Sequence, residues 1–267
     1  SFHARNSLSI GVRSGKLTVA IIEMSNTLMF FEEGSFAPTD YSNAYRDVIN
    51  AIQSISRVSG AELVSCTHDR ITIVWNANNQ FKDHVDKAMK FIDNFRGQLR
   101  TLQSQWSSQA VVLMDVHIGL TSARGFYGNV GSTKQRYFTV FGPVLNGAKQ
   151  CLAIAREWGV TAVCCQRVQR RIDHDFMTRP LTPHPKDQSF VMFEIGHAKV
   201  VHADEWMYEM EQKEMHNKWS KYIEAYRAVQ DRRYSEAYEL LVQYLEKEPG
   251  DLVAQILLSR CEAVDCK

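Results

Sequence analysis

Four closely spaced glycines, Gly125, Gly128, Gly131 and Gly142, constrain the fold of this chain more than any other feature. Glycine gathers where the backbone must turn or approach another backbone closely. These four bracket Arg136–Phe141, an aromatic and β-branched run that predicts a strand. Pro143 follows directly and suits the first turn of a helix, whose apolar pattern runs to about Trp158. Upstream, Ala110–Leu120 is rich in Val, Leu and Met and predicts another strand. A strand, a glycine-punctuated segment, a second strand and a helix are thus expected in immediate succession.

The rest of the chain supplies partners for these elements. Lys16–Ile22 is a β-branched apolar run, expected to form a buried strand. Tyr45, Val48, Ile49, Ile52 and Ile55 fall on one face of a helix between Tyr41 and Val58. Glu62–Cys66 and Ile71–Trp75 predict a hairpin whose turn, Thr67 to Arg70, carries a carboxylate. Phe81–Leu102 predicts a second helix, and Thr161–Cys165 and Phe190–Ile195 further strands, with a connection containing Pro180, Pro183 and Pro185 between them. Strands alternating with helices and hairpins imply an α/β (α+β) layered fold with a mixed β-sheet flanked by helices. From Asp204 to Lys267 the pattern is almost wholly helical, broken at Pro249-Gly250-Asp251. The expected domains are therefore 1–200 and a C-terminal helical extension, 201–267. The extension has the look of a single tetratricopeptide-like (TPR-like) unit, or of a plain helical tail packed on the main domain.

Composition narrows the function. The 31 Lys and Arg nearly balance 30 Asp and Glu, which gives no electrostatic footprint for nucleic acid. The six cysteines form no C-x-x-C pair, so a reducing, cytoplasmic setting is expected. No apolar run approaches the ~20 residues that span a bilayer, and no signal peptide opens the chain. Membrane attachment is expected only through segments outside this chain.

Three segments, in order, resemble the catalytic domain of class III adenylyl and guanylyl cyclases. Residues 125–132 read G-F-Y-G-N-V-G-S, followed by Y-F-T-V-F-G at 137–142 and N-G-A at 146–148, where the family has G-x-x-x-G-N-x-G, Y-T-V-x-G and N-x-A-x-R. Residues 60–69 read G-A-E-L-V-S-C-T-H-D against G-G-x-x-x-K-x-x-G-D, and the strand 17–23 ends on Glu23 where the family ends on Asp. The resemblance covers about residues 16–195. It implies head-to-tail pairing with another cyclase domain, as a homodimer or heterodimer, and a site at their interface. There two carboxylates hold two Mg²⁺ or Mn²⁺ ions while the 3′ hydroxyl of ATP or GTP attacks the α-phosphate.

The resemblance places Glu23 and Asp69 as the metal carboxylates. Glu lengthens the ligand by a methylene, which octahedral Mg²⁺ tolerates poorly, and an Asp in a turn also serves by bonding its own backbone. A carboxylate closing an apolar strand needs a partner or exposure. Ser25, Asn26 and Thr27 stand in the phosphate-cradling loop, which has lost the glycine that close backbone approach requires. His68 and Cys66 flank the hairpin turn, and an exposed His is the plain alternative to a ligand. On the partner-facing side Ser65 replaces the purine-reading Lys and is too short to reach a base. Tyr137 replaces the second purine reader, and its phenol either bonds a base or fills the pocket. Asn146, the candidate catalytic residue that remains, suits orienting the ribose. Gln150 replaces the Arg that stabilises the transition state, and losing one such group costs ~2.7–4 kcal/mol of barrier. Lys149 beside it points elsewhere on a helix.

The leading expectation is a degenerate cyclase homology domain, a pseudo-cyclase, that pairs with an intact cyclase domain and supports or regulates cyclic nucleotide synthesis. Two alternatives stay open: an autonomous metal-dependent cyclase with altered site residues, and a protein-interaction scaffold acting through the helical tail.

Overall fold

A computed structural model describes residues 11–25, 38–67, 69–108, 115–132, 134–181, 191–199 and 219–265. The chain forms two compact units, Ser1–Ala153 and Ile154–Lys267.

The first unit is built on β1 (Gly11–Ser25) and β4 (Asp115–Gly131), which pair antiparallel along their whole length from Gly11 opposite Asn129 to Ser25 opposite Asp115. From Leu17 to Met24 every residue of β1 is buried, so both faces of this strand are covered. On its other side β1 pairs with β3 (Arg70–Trp75), and β3 with β2 (Glu62–Cys66). β5 (Arg136–Phe141) pairs with β4, which gives the order β2-β3-β1-β4-β5 within this unit.

One face gathers Leu17, Val19, Ile21, Val74, Tyr127 and Val140 under Val144, Ala148 and Leu152 of α3 (Pro143–Glu157). The opposite face, with Ala20, Ile22, Ile71, Ile73 and Trp75, is buried on the side of α1 (Pro38–Ser59) and α2 (His84–Ser108). Val48, Ile52 and Ile55 of α1 and Val85, Met89, Ile92 and Phe95 of α2 recur every three or four residues and are buried. Phe91 meets Trp75 edge to face, with ring centroids 5.4 Å apart.

The glycine-rich segment is largely strand. β4 continues through it to Gly131, and the glycines let layers touch. A Cβ at Gly119 would lie 2.2 Å from the carbonyl oxygen of Ala148 and 2.4 Å from the amide nitrogen of Leu152, so α3 rests directly on the backbone of β4. Gly128, at φ +150°, faces the Gly11 carbonyl, where a Cβ would come within 2.0 Å of the oxygen.

In the second unit β6 (Ala162–Cys165) leads into the short α4 (Gln166–Ile172), and β8 (Met192–Ala198) pairs antiparallel with both β6 and β7 (Phe176–Leu181). Two of these elements depart from the sequence expectation. β7 occupies part of what reads as a proline-bearing connection, and α4 follows β6 without a loop. Pro180 is tolerated because β7 lies at the end of the strand order, and its carbonyl accepts the Tyr222 hydroxyl at 2.8 Å. Tyr222 belongs to α5, the helix 219–230. It is followed by α6 (Tyr234–Lys247) and α7 (Leu252–Asp265), which pack on each other.

A buried polar cluster joins these helices to β7 and β8. The Arg179 side chain, 5% exposed, donates through Nε to Glu194 Oε2 at 2.6 Å and through Nη1 to Asp251 Oδ2 at 2.5 Å. Its guanidinium lies 4.9 Å from the Trp219 ring centre and 5.0 Å from that of Tyr222. Trp219 also sits over Gly196, where a Cβ would meet its ring at 3.0 Å. Asp251 caps α7 by accepting the Ala254 N–H at 3.2 Å on Oδ1, and takes the Tyr244 hydroxyl at 2.6 Å on Oδ2.

Burial works against the Asp251 charge, yet the hydrogen bond and charge of Arg179, with Tyr244 and Ala254, hold its carboxyl below the ordinary 3.8. A carboxyl depressed in the folded state contributes stability above its unfolded value, and that contribution is lost as pH falls through the folded value. Asp251→Asn is therefore expected to cost about 1.5–3 kcal/mol at neutral pH, the worth of a hydrogen bond to a charged group. The gap from wild type should narrow below about pH 4, read from urea denaturation at several pH values. A gap unchanged down to pH 2 would refute this role.

Candidate functional site

The open ends of β1 and β3 bring the candidate metal residues together. Glu23 lies opposite Arg70, and the Met24 N–H donates to the Asp69 carbonyl at 2.8 Å. The hairpin turn is organised by Thr67. Its N–H donates to the Arg70 carbonyl at 2.8 Å, and its hydroxyl lies 3.0 Å from Asp69 Oδ1 and 2.9 Å from the Arg70 carbonyl. The Tyr45 hydroxyl, from α1, donates to the Thr67 carbonyl at 2.7 Å and sits 3.1 Å from the exposed Cys66 Sγ. The hairpin is thus tied both to the helix layer and to β1.

Glu23 is 5% exposed, and its partner is Arg70. The guanidinium donates from Nε at 3.1 Å and from Nη2 to the same oxygen, Oε2. Sequence reasoning asks for a partner at this position but does not single out Arg70. The available signal is the hairpin register, since a cation one residue past the turn Asp faces the end of the neighbouring strand. Among the described residues no group of three or more His, Cys, Asp and Glu side chains is arranged to hold a metal ion. With Glu23 Oε2 bonded by the Arg70 cation, the residues present do not fit the two-metal site that the resemblance implies.

The remaining candidates fall on two neighbouring places. β2 and β5 touch, Val64 and Phe138 pack on the core, and the adjacent Ser65 and Tyr137 are exposed, Tyr137 at 61%. Asn146, Lys149 and Gln150 are exposed on the first turns of α3, where the Asn146 N–H bonds the Gly142 carbonyl at 3.2 Å. Asn146 and Gln150, four residues apart, share one helix face. Ser25 ends β1, with its backbone opposite Asp115, whereas Asn26, Thr27 and His68 lie outside the described residues. No helix among the described residues is long and apolar enough to cross a membrane.

No protein-family model matches the sequence, and the search of curated proteins finds no match. The fold is another matter: it is the mixed α+β sheet flanked by helices of class III cyclase catalytic domains. The adenylyl cyclase CyaB from P. aeruginosa superposes with a TM-score of 0.62 at 14% identity, covering 73% of this chain and all of that one (100%). The guanylyl cyclase Cya2 gives 0.60 at 13%, over 73% of this chain and 98% of its own. The guanylate cyclase domain of RhGC from Catenaria anguillulae, solved in complex with GTP, gives 0.59 at 17%, over 70% of this chain and 100% of its own.

Proposed function

We propose that this chain is a degenerate cyclase homology domain that pairs with an intact cyclase domain and supports or regulates cyclic nucleotide synthesis there. The observation that carries this reading is the contrast between a cyclase-like fold and the residues on it. Exposed Ser65, Tyr137 and Gln150 stand where the family reads the purine and stabilises the transition state. A neutral amide at Gln150 gives no charge-assisted bond to a phosphate. Asn146 retains the ribose-orienting role, and residues 1–200 form the homology domain, with 201–267 as a TPR-like extension.

The test mixes the purified chain with an intact class III cyclase domain from the same cells and measures size by sedimentation. A mixed dimer is expected, and the chain alone should form no cyclic nucleotide from ATP or GTP with Mn²⁺. If no mixed dimer forms at any concentration reached, the pairing role is wrong. A second reading, an autonomous metal-dependent cyclase, needs Arg70 to release Glu23, which lies near Asp69 at the strand ends. It requires cyclic nucleotide production by the chain alone that Asp69→Ala abolishes.

A further inference from the structure

We infer that Arg70 is the resident counter-cation of Glu23 and keeps divalent metal out of that position. This deepens the reading above, since it rests on Glu23 standing where the family's first metal carboxylate stands.

A carboxylate 5% exposed at a strand end must be neutralised to be tolerated. In a metal-dependent site the ion does this. Here the chain does it itself: Arg70 is held opposite Glu23 by the β1–β3 register, and two of its N–H groups converge on Oε2. The register is pinned by the Met24–Asp69 backbone bond and by Thr67 bridging the turn. The guanidinium does not have to be recruited, because its place follows from the strand pairing. A divalent ion at Oε2 would have to displace both N–H groups and accept a fixed positive charge beside it. The arginine side chain remains 44% exposed, so its outer edge meets solvent at the mouth of the same strand ends. Arg70 thus supplies from within the chain the positive charge that a metal ion would otherwise bring to Glu23.

The test uses Mn²⁺ alone, without nucleotide, on the wild-type chain, Arg70→Gln, Glu23→Gln and the double variant. Free Mn²⁺ is read from its paramagnetic resonance signal and stability from the chemical denaturation midpoint. The wild type is expected to show no Mn²⁺ binding that Glu23→Gln removes, and the same midpoint in Mn²⁺ and in chelator. Arg70→Gln should lower the midpoint, bind Mn²⁺ at least about tenfold more tightly than wild type, and regain stability when Mn²⁺ is added. The double variant should be more stable than Arg70→Gln and indifferent to Mn²⁺, which separates loss of the pair from failure to fold. Mn²⁺ binding by the wild type that Glu23→Gln abolishes, or no gain of affinity in Arg70→Gln, would overturn the inference. Neither result bears on whether the chain forms a mixed dimer, so the two proposals fail separately.

Discussion

Arg179→Ala is expected to destabilise the second unit by about 3–5 kcal/mol, the cost of breaking a buried ion pair by removing one partner. The magnitude follows from what is left behind. The Asp251 and Glu194 side chains are 8% and 15% exposed, and both would lose the guanidinium they share. Trp219 and Tyr222 would lose the cation they flank, and the aliphatic stem of Arg179 would leave a gap among them. Denaturant unfolding followed by far-ultraviolet circular dichroism reads the change. If Arg179→Met combined with Asp251→Asn and Glu194→Gln recovers much of the loss, the effect lies in the stranded charges. A loss below about 1 kcal/mol for the single alanine variant would mean that the cluster is solvated in solution.

Gly119→Ala is expected to cost about 3 kcal/mol or more, at or beyond the upper end of overpacking penalties. The added methyl group meets backbone atoms of Ala148 and Leu152, not the tip of a flexible side chain, so α3 as a whole must move away from β4. Asn146 and Gln150 ride on that helix and would be displaced with it. The same substitution at Gly97, inside α2 with nothing within 4 Å of a Cβ, should instead stabilise by about 0.4–1 kcal/mol. The opposite signs make the pair diagnostic: equal effects would show that α3 does not rest on the β4 backbone.

Most of the first unit was legible because its periodicities are strong. β1, the two long helices and the β2–β3 hairpin all follow from apolar spacing. What misled was glycine. Read locally, Gly125, Gly128 and Gly131 break a strand, yet β4 runs through all three because its neighbours need the missing side chains. A Cβ at Gly125 would meet Val144 at 2.4 Å, so the motif that carries the cyclase resemblance has a packing reason independent of any nucleotide. Pro180 misled similarly, since a proline demotes a strand unless that strand lies at an edge. At the candidate site, Glu23 needed a partner on electrostatic grounds, but naming Arg70 required the register between β1 and β3. The Arg179–Asp251 pair joins residues too distant in sequence for any local pattern to show it.

Asp251 serves two structures at once, ending one helix's unmet N–H groups and balancing a charge on a strand. The first turn of α7 therefore resists fraying on its own, because opening it removes one of the two carboxylates bonded to the buried Arg179 on β7. Local opening of that turn carries a cost set by the sheet, and its amide hydrogens should exchange with solvent together with those of β7 and β8. What reads in sequence as a tail thus gains cooperativity with the strands through a single carboxylate.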